Sequence, residues 1–169
     1  MADFGRELLA GVVEDVAADG QNPLRHVADL PARRGRPQTW PPWADPDVVR
    51  AFHDRGIEAP WSHQRLAADL AHDGRHVVLS TGTASGKSLA YQLPVLTGIL
   101  ESRGARDERG ATALYVSPTK ALAQDQLAGL TDLRTGVRVT THDGDSSREQ
   151  RDWARDHGEY LLTNPDMLH

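Results

Sequence analysis

The segment that most restricts the fold of this 169-residue chain is Thr81-Gly82-Thr83-Ala84-Ser85-Gly86-Lys87-Ser88. It joins a short apolar run, residues 76–80 (HVVLS), to a stretch with Leu89, Leu93, Leu96 and Leu100 on one helical face. Strand, small-residue loop and helix, in that order, make the context of a phosphate-gripping loop. Small side chains let backbone N–H groups converge on an anion. A helix opening at Gly86 points the positive end of its dipole at the same place. Lys87 then reaches the β- and γ-phosphates of a nucleoside triphosphate, and the Ser88 hydroxyl is offered to Mg2+. Thr81 stands where the strict pattern has its first glycine. Such a loop implies triphosphate binding and leaves open what the energy drives.

The rest of the chain divides into two textures. Residues 4–18 carry Leu9, Val12, Val13 and Val16 at helical spacing, and Asp19-Gly20 and Asn22-Pro23 end that helix. Residues 31–46 (PARRGRPQTWPPWADP) read as a linker or irregular arm rather than a core element, with Arg33, Arg34 and Arg36 solvated or touching phosphate. Asp45-Pro46 predicts an N-cap and first helical position, opening a short helix through Arg55 that stops at Gly56. From about residue 60 strands and helices alternate. Strands are expected at 76–80, 111–116, 137–141 and 159–163, the first of them buried. Between them lie the leucine-faced helix, which Pro94 should kink, a helix with Ala123, Leu127 and Leu130 on one face, and a helix over 146–157. A last helix opens at Pro165 behind Asn164. This alternation predicts an α/β fold, a parallel sheet with helices on both faces. The division expected is an N-terminal extension over 1–59 and a nucleotide-binding part over 60–169.

Composition matters at three points. There is no cysteine, which excludes a disulfide scaffold, a cysteine nucleophile and a thiolate metal site, and suits the cytosol. No apolar run is long enough to cross a membrane and the N-terminus lacks a secretory pattern, so a cytoplasmic protein is expected. Of 19 Lys and Arg residues only Lys87 and Lys120 are lysine. Either two residues fell there by chance, or both sites need a compact point charge that Arg cannot replace. The net charge of −5 excludes a uniformly basic nucleic-acid coat but not a local phosphate groove.

Further segments surround the loop. Gln64 lies upstream beside Trp61, and its amide can both donate to and accept from an adenine edge while the indole offers a flat neighbour. The bland alternative is a solvated Gln at a helix start. Ser117-Pro118-Thr119-Lys120-Ala121 follows one strand and Thr163-Asn164-Pro165-Asp166 another. Hydroxyls there either cap the next helix or, with free N–H groups and a lysine, meet nucleic-acid phosphates. His142-Asp143-Gly144-Asp145 makes a tight turn between them.

Together W-S-H-Q (61–64), T-G-T-A-S-G-K-S-L-A-Y-Q-L-P-V-L (81–96), S-P-T-K-A-L-A-Q-D-Q-L (117–127), D-G-D (143–145) and L-T-N-P-D-M-L-H (162–169) resemble superfamily 2 helicases of the DEAD/DEAH-box type. The match is to the N-terminal part of the first RecA-like domain. It is closest to the bacterial and fungal DNA-repair branch that includes mitomycin repair factor A and its RecQ-like relatives. The resemblance implies a P-loop NTPase fold, ATP and Mg2+ as cofactors, and DNA as partner, held by its phosphates with little sequence preference. Gln64 resembles the adenine-reading glutamine, with Trp61 where relatives often carry Tyr. Gly82, Thr83, Ala84, Ser85, Gly86, Lys87 and Ser88, with Leu89 behind them, resemble the ATP phosphate site, Lys87 and Ser88 acting on phosphates and metal. Ser117, Pro118, Thr119 and Lys120 resemble motif Ia, and Thr163, Asn164 and Asp166 motif Ib, both lying along a single strand. His142 departs from the aromatic common before D-G-D.

The family's D-E-x-H box, whose carboxylates hold Mg2+ and position water, is expected downstream of Pro165. The single Asp-Glu pair, Asp107-Glu108, sits in a charged loop. The reading is therefore of the N-terminal piece of an ATP-dependent DNA helicase or translocase, 3′-to-5′ and engaged in repair by resemblance. The second RecA-like domain and the C-terminal region would lie elsewhere, and the piece alone would be catalytically inactive and marginally stable. A small-molecule P-loop kinase, or a non-catalytic scaffold, remains the alternative.

Overall fold

Three four-residue strands form one parallel sheet in the computed structural model, which describes residues 2–16, 26, 28, 35–82, 85–103 and 110–168. The strands are β1 (Ala113–Val116), β2 (Val139–His142) and β3 (Tyr160–Thr163), in the order β1-β3-β2. In register, Ala113 pairs with Tyr160 and Val116 with Thr163 on one side of β3, and Val139 with Tyr160 and His142 with Thr163 on the other. Parallel neighbours need a crossover, and each crossover here is a helix. α5 (Lys120–Asp132) leads from β1 to β2 and α6 (Arg148–His157) from β2 to β3. A 3-10 turn, Pro165–Leu168, follows β3 where the sequence predicts a helix opening.

Because side chains alternate along a strand, the sheet has two distinct faces. Tyr115, Tyr160 and Leu162 join a core with Leu89, Leu93, Leu96 and Ile99 of α4 (Lys87–Ser102) and with Ala123 and Leu130 of α5. Leu114, Leu161 and Thr163 face the other way, lining a cleft of about 780 Å3 with Ala154 of α6 and with Met167 and Leu168. Helices thus lie on both faces, and α4 continues as one helix past Pro94.

Contacts divide the chain after Arg34. The first unit holds α1 (Ala2–Val16), the helix expected over 4–18. Its stop signals, like Arg33, Arg34 and Asp107-Glu108, lie outside the described residues. The second unit begins at Gly35 and includes α2 (Pro46–Asp54) and α3 (Ser62–His72). The Asp45 carboxylate accepts from the N–H groups of Asp47 and Val48, confirming the N-cap before Pro46.

Two expectations are corrected. The stretch over 35–46 is irregular, but it is part of the core. Ala44 is buried beside Val48 and Phe52 of α2, Trp40 stacks on Phe52 at 5.9 Å, and Trp43 stacks on His72 at 4.2 Å. The Trp43 indole N–H donates to Asp69 at 2.8 Å, so both the ring area and the polar edge are used. Pro and Arg mark the lack of regular structure, whereas the two tryptophans decide that the segment packs.

Residues 76–80 have no regular secondary structure and are not a buried strand: Val78 is 95% exposed. A strand exists through ladder partners, and no described strand runs beside this segment.

At the base of the sheet, the buried Glu159 carboxylate receives Arg103 through two N–H groups (3.0 and 2.7 Å), the Arg138 guanidinium (3.0 Å) and the Arg138 backbone N–H (2.8 Å). Burial opposes its ionisation, but these donors outweigh it and hold the carboxyl below its usual range. The cluster ties the residue after α4 to the residues just before β2 and β3. No helix among the described residues is long and apolar enough to cross a membrane.

Candidate functional site

The phosphate-type loop lies where residues 76–80 give way to α4, and it is positioned largely by α3. Gln64 is buried, not solvated. Its carbonyl oxygen accepts from Trp61 N at 2.7 Å, closing the first turn of α3, and its amide nitrogen donates to the Gly86 carbonyl at 2.8 Å. His63 Nε2 lies 3.0 Å from the Ser85 carbonyl, as a donor. Gly86 has φ of +71°, and a Cβ there would lie 2.5 Å from the Gln64 amide nitrogen. Glycine is required at this point on both counts.

Within the loop, the Thr81 and Ser85 hydroxyls meet at 2.7 Å. The residue that replaces the pattern's first glycine thus ties the loop ends together. Lys87 Nζ donates to the carbonyls of Thr81 (2.9 Å) and Gly82 (2.7 Å). An ammonium has three donors, so one N–H is left. Gly86 offers no side-chain cap, and the first N–H groups of α4 have no intrahelical acceptor. A fixed cation, a hydroxyl at Ser88 and free helix N–H donors make a donor set that fits a phosphate. Leu89 is buried in the core and its N–H donates to Gly86 O at 3.3 Å. Thr83 and Ala84 lie outside the described residues.

Trp61 begins α3 and is 43% exposed. It pairs with Pro37 in an isolated antiparallel bridge, and its ring covers Gly35, where a Cβ would fall on the indole.

The second set of residues gathers at the carboxyl ends of the strands. Ser117 is fully buried and builds the loop: its N–H donates to Thr163 O at 2.8 Å and its hydroxyl to Thr119 O at 2.9 Å. Thr119 caps α5 by accepting from Leu122 N. Thr163 is buried, donating to His142 O at 2.7 Å, and Asn164 is buried with its Oδ1 unpartnered. Pro118, Thr119, Lys120 and Asp166 are exposed. Lys120 Nζ donates to Asp145 Oδ2 at 2.7 Å, which raises the ammonium's pKa, with Asp143 adding to the effect. A Cβ on Gly144 would lie 4.0 Å from both Lys120 Nζ and Met167 Cε. Lys120 thus joins the loop after β1 to the loop after β2, and Met167 of the turn after β3 lies close to Gly144 as well.

The structure brings Gln64 to Gly86 and brings Lys120 to Asp145 in the loop after β2. The sequence marks Asp143–Asp145 as a tight turn and a family motif but not as the partner of Lys120, which is twenty-five positions away. Among the described residues no three His, Asp or Glu side chains cluster as a metal site.

The DEAD/DEAH box helicase family matches residues 61–169, from the first turn of α3 through the loop after β3. The chain belongs to that family. A curated relative, the ATP-dependent helicase hrq1 of Schizosaccharomyces pombe, is 35% identical over 170 residues, covering 96% of this chain and 15% of the relative. The uncharacterized ATP-dependent helicase YprA of Bacillus subtilis is 39% identical over 145 residues, covering 83% of this chain and 19% of its own. Among solved structures, the helicase MrfA bound to DNA and AMPPNP superposes with a TM-score of 0.73 at 40% identity, over 81% of this chain and 19% of that one. This DEAD/DEAH-family chain therefore spans less than a fifth of the length of these relatives. Its parallel sheet and helices form part of a RecA-like helicase fold.

Proposed function

We propose that the chain supplies the ATP-binding and strand-contacting part of an ATP-dependent DNA helicase or translocase working in DNA repair, with 3′-to-5′ polarity and a cytoplasmic setting. The observation that carries the reading is the loop over residues 81–88. Its lysine is held at the uncapped start of α4 and its αL glycine is latched by a buried glutamine. Gly82, Thr83, Ala84, Ser85 and Gly86 would surround the phosphates with N–H groups, and Lys87 would give them its charge. Mg2+, when bound, neutralises the triphosphate, and Ser88 is the side chain that would hold it here.

Gln64 uses one amide donor and one lone pair on the protein, which leaves one of each for an adenine edge. Trp61 offers the adjoining exposed ring. At the strand ends, Pro118, Thr119 and Lys120 would meet DNA phosphates directly. Ser117, Thr163 and Asn164 would shape that loop from beneath, with Asp166 at its exposed margin. Phosphate contact predicts tolerance of sequence and a steep salt dependence.

Binding is the test suited to this chain. Mg·AMPPNP should raise the thermal midpoint in a concentration-dependent way, since a ligand of the folded state stabilises it by about 2.7 kcal/mol at a hundredfold excess over Kd. Lys87→Ala should remove that stabilisation while leaving the unliganded midpoint nearly unchanged. A chain whose midpoint ignores the nucleotide does not have this function.

A further inference from the structure

Trp61 sits on a stretch whose Pro and Arg content gives it the look of a linker. Residues 35–40 run beside residues 58–62 and the first turn of α3, held by hydrogen bonds that backbone carbonyls accept. Gln38 N donates to Pro60 O and Ser62 N to Arg36 O, both at 2.8 Å, on either side of the Pro37–Trp61 bridge. The Trp40 indole N–H donates to Glu58 O at 3.0 Å, and the Arg65 guanidinium to Thr39 O at 2.6 Å. This pairing lays Gly35 against the Trp61 ring. A Cβ at Gly35 would fall on Cζ3 and lie 2.6 Å from each of its ring neighbours, Cε3 and Cη2. Equal, short distances to both neighbours put the glycine over the face of the indole, since an approach in the ring plane would leave both atoms farther off. Only a residue without a side chain can come this close. Burial does not account for the contact: residues 35–39 are exposed, and Trp61 stays 43% exposed.

We propose that Gly35 is a positioning residue of the base site: the backbone of residues 35–38 backs one face of Trp61, so that the other face receives the purine. The inference rests on the reading of Trp61 and Gln64 as the adenine contacts. It extends that site to a strap lying before the family match, which begins at residue 61. The indole is fixed from two directions. Gly35 covers one face, and the Trp61 backbone N–H is tied to the Gln64 carbonyl at 2.7 Å, so ring plane and adenine-facing amide are set together. A ring already backed in this way loses little side-chain freedom when a base stacks on it, and less of the stacking energy is spent on ordering. Stacking on an aromatic side chain changes affinity by about fivefold at the low end, enough to measure.

The test compares Mg·AMPPNP with Mg·tripolyphosphate, which has the phosphates and no base. Both are titrated by calorimetry into the unsubstituted chain, Gly35→Ala, Trp61→Ala and the double variant. Gly35→Ala should weaken AMPPNP binding by about fivefold or more and leave tripolyphosphate affinity within about twofold. Trp61→Ala should weaken AMPPNP at least as much. Adding Gly35→Ala to it should cost nothing further, because the glycine acts through the ring. Tripolyphosphate affinity also reports whether each variant keeps a folded phosphate loop.

Equal losses for the two ligands in Gly35→Ala would make the strap a support of the fold alone, and that result overturns the inference. So does a Gly35→Ala chain that binds AMPPNP as before, or more tightly, the second outcome showing that the strap covers the face the base needs. Undiminished AMPPNP affinity in Trp61→Ala removes the base platform and the inference with it, while the phosphate loop stands. Failure of the unsubstituted chain to bind either ligand removes the phosphate loop and the base site together.

Discussion

The two loops follow the same local recipe, an apolar segment, a turn of small or hydroxyl residues and a helix, yet they are held in different ways. Around residues 113–168 the backbone does the holding. β1, β3 and β2 pair in register, and the ladder continues past the strand end in the Ser117 N–H to Thr163 O bond. Around residues 76–88 there is no ladder among the described residues. The loop is placed by side chains of α3, chiefly Gln64 on Gly86 and His63 on Ser85. Ladder bonds tolerate many side chains, whereas a side-chain latch depends on one residue type. The phosphate loop should therefore be fragile to single substitutions that barely affect the strand-end loops.

The exception within the sheet is its base, where a side chain also matters. Glu159→Ala removes the acceptor shared by Arg103 and Arg138 and leaves the Arg138 N–H without its partner. A loss of about 2–3 kcal/mol in chemical unfolding is expected, less than for a fully buried pair because both guanidinium groups are half-exposed. The pH dependence has a definite sign. The folded-state pKa of Glu159 is depressed, so its contribution is fully present above the ordinary unfolded carboxyl pKa of 4.5 and lost as pH falls through the lower folded value. Acidification from pH 5 should cost the unsubstituted chain stability that Glu159→Ala has already lost. Equal acid sensitivity in both would put the anchor elsewhere.

Gln64→Ala separates the two regions most sharply. It frees Gly86 O and Trp61 N from a buried partner, at a cost of about 1–2 kcal/mol, and should weaken Mg·AMPPNP binding on the order of tenfold. Oligo-dT affinity measured without nucleotide should hold. Loss of both affinities in parallel would show that α3 supports the whole domain and not the loop.

The smallest effect on stability belongs to Lys120→Ala, since its pair with Asp145 is solvent-exposed. Its effect is on binding: strand affinity should fall severalfold and the salt slope should shrink by about 0.7 for one lost phosphate contact on a single strand. Asp145→Asn should move affinity the other way by releasing the lysine. A change confined to nucleotide affinity would contradict the division of labour.

How much of this was legible in the chain depends on how local each signal is. The N-cap at Asp45 and the buried faces of α4 and α5 follow from spacing within one element, and both are present in the structure. The parallel sheet follows from alternation over longer stretches and is also there. Residues 76–80 have the composition of a strand, but pairing is a property of two segments, and Val78 in fact faces solvent. Residues 35–46 look like a linker by their Pro and Arg, because no local rule shows that Trp40 and Trp43 find Phe52 and His72. Gln64 and Lys120 were singled out as ligand-facing, yet each already has a protein partner, Gly86 or Asp145, at a distance in sequence that no periodicity marks.

Triphosphate binding by this chain requires the backbone N–H groups of Gly86, Lys87 and Ser88 to be aimed at the phosphates. Amide-resolved NMR of the chain titrated with Mg·ATP tests this directly. Those three resonances should shift together along one saturable curve, and the same titration of Lys87→Ala should leave them in place. Amides at 86–88 that stay still, while the nucleotide perturbs some other part of the chain, would contradict the account.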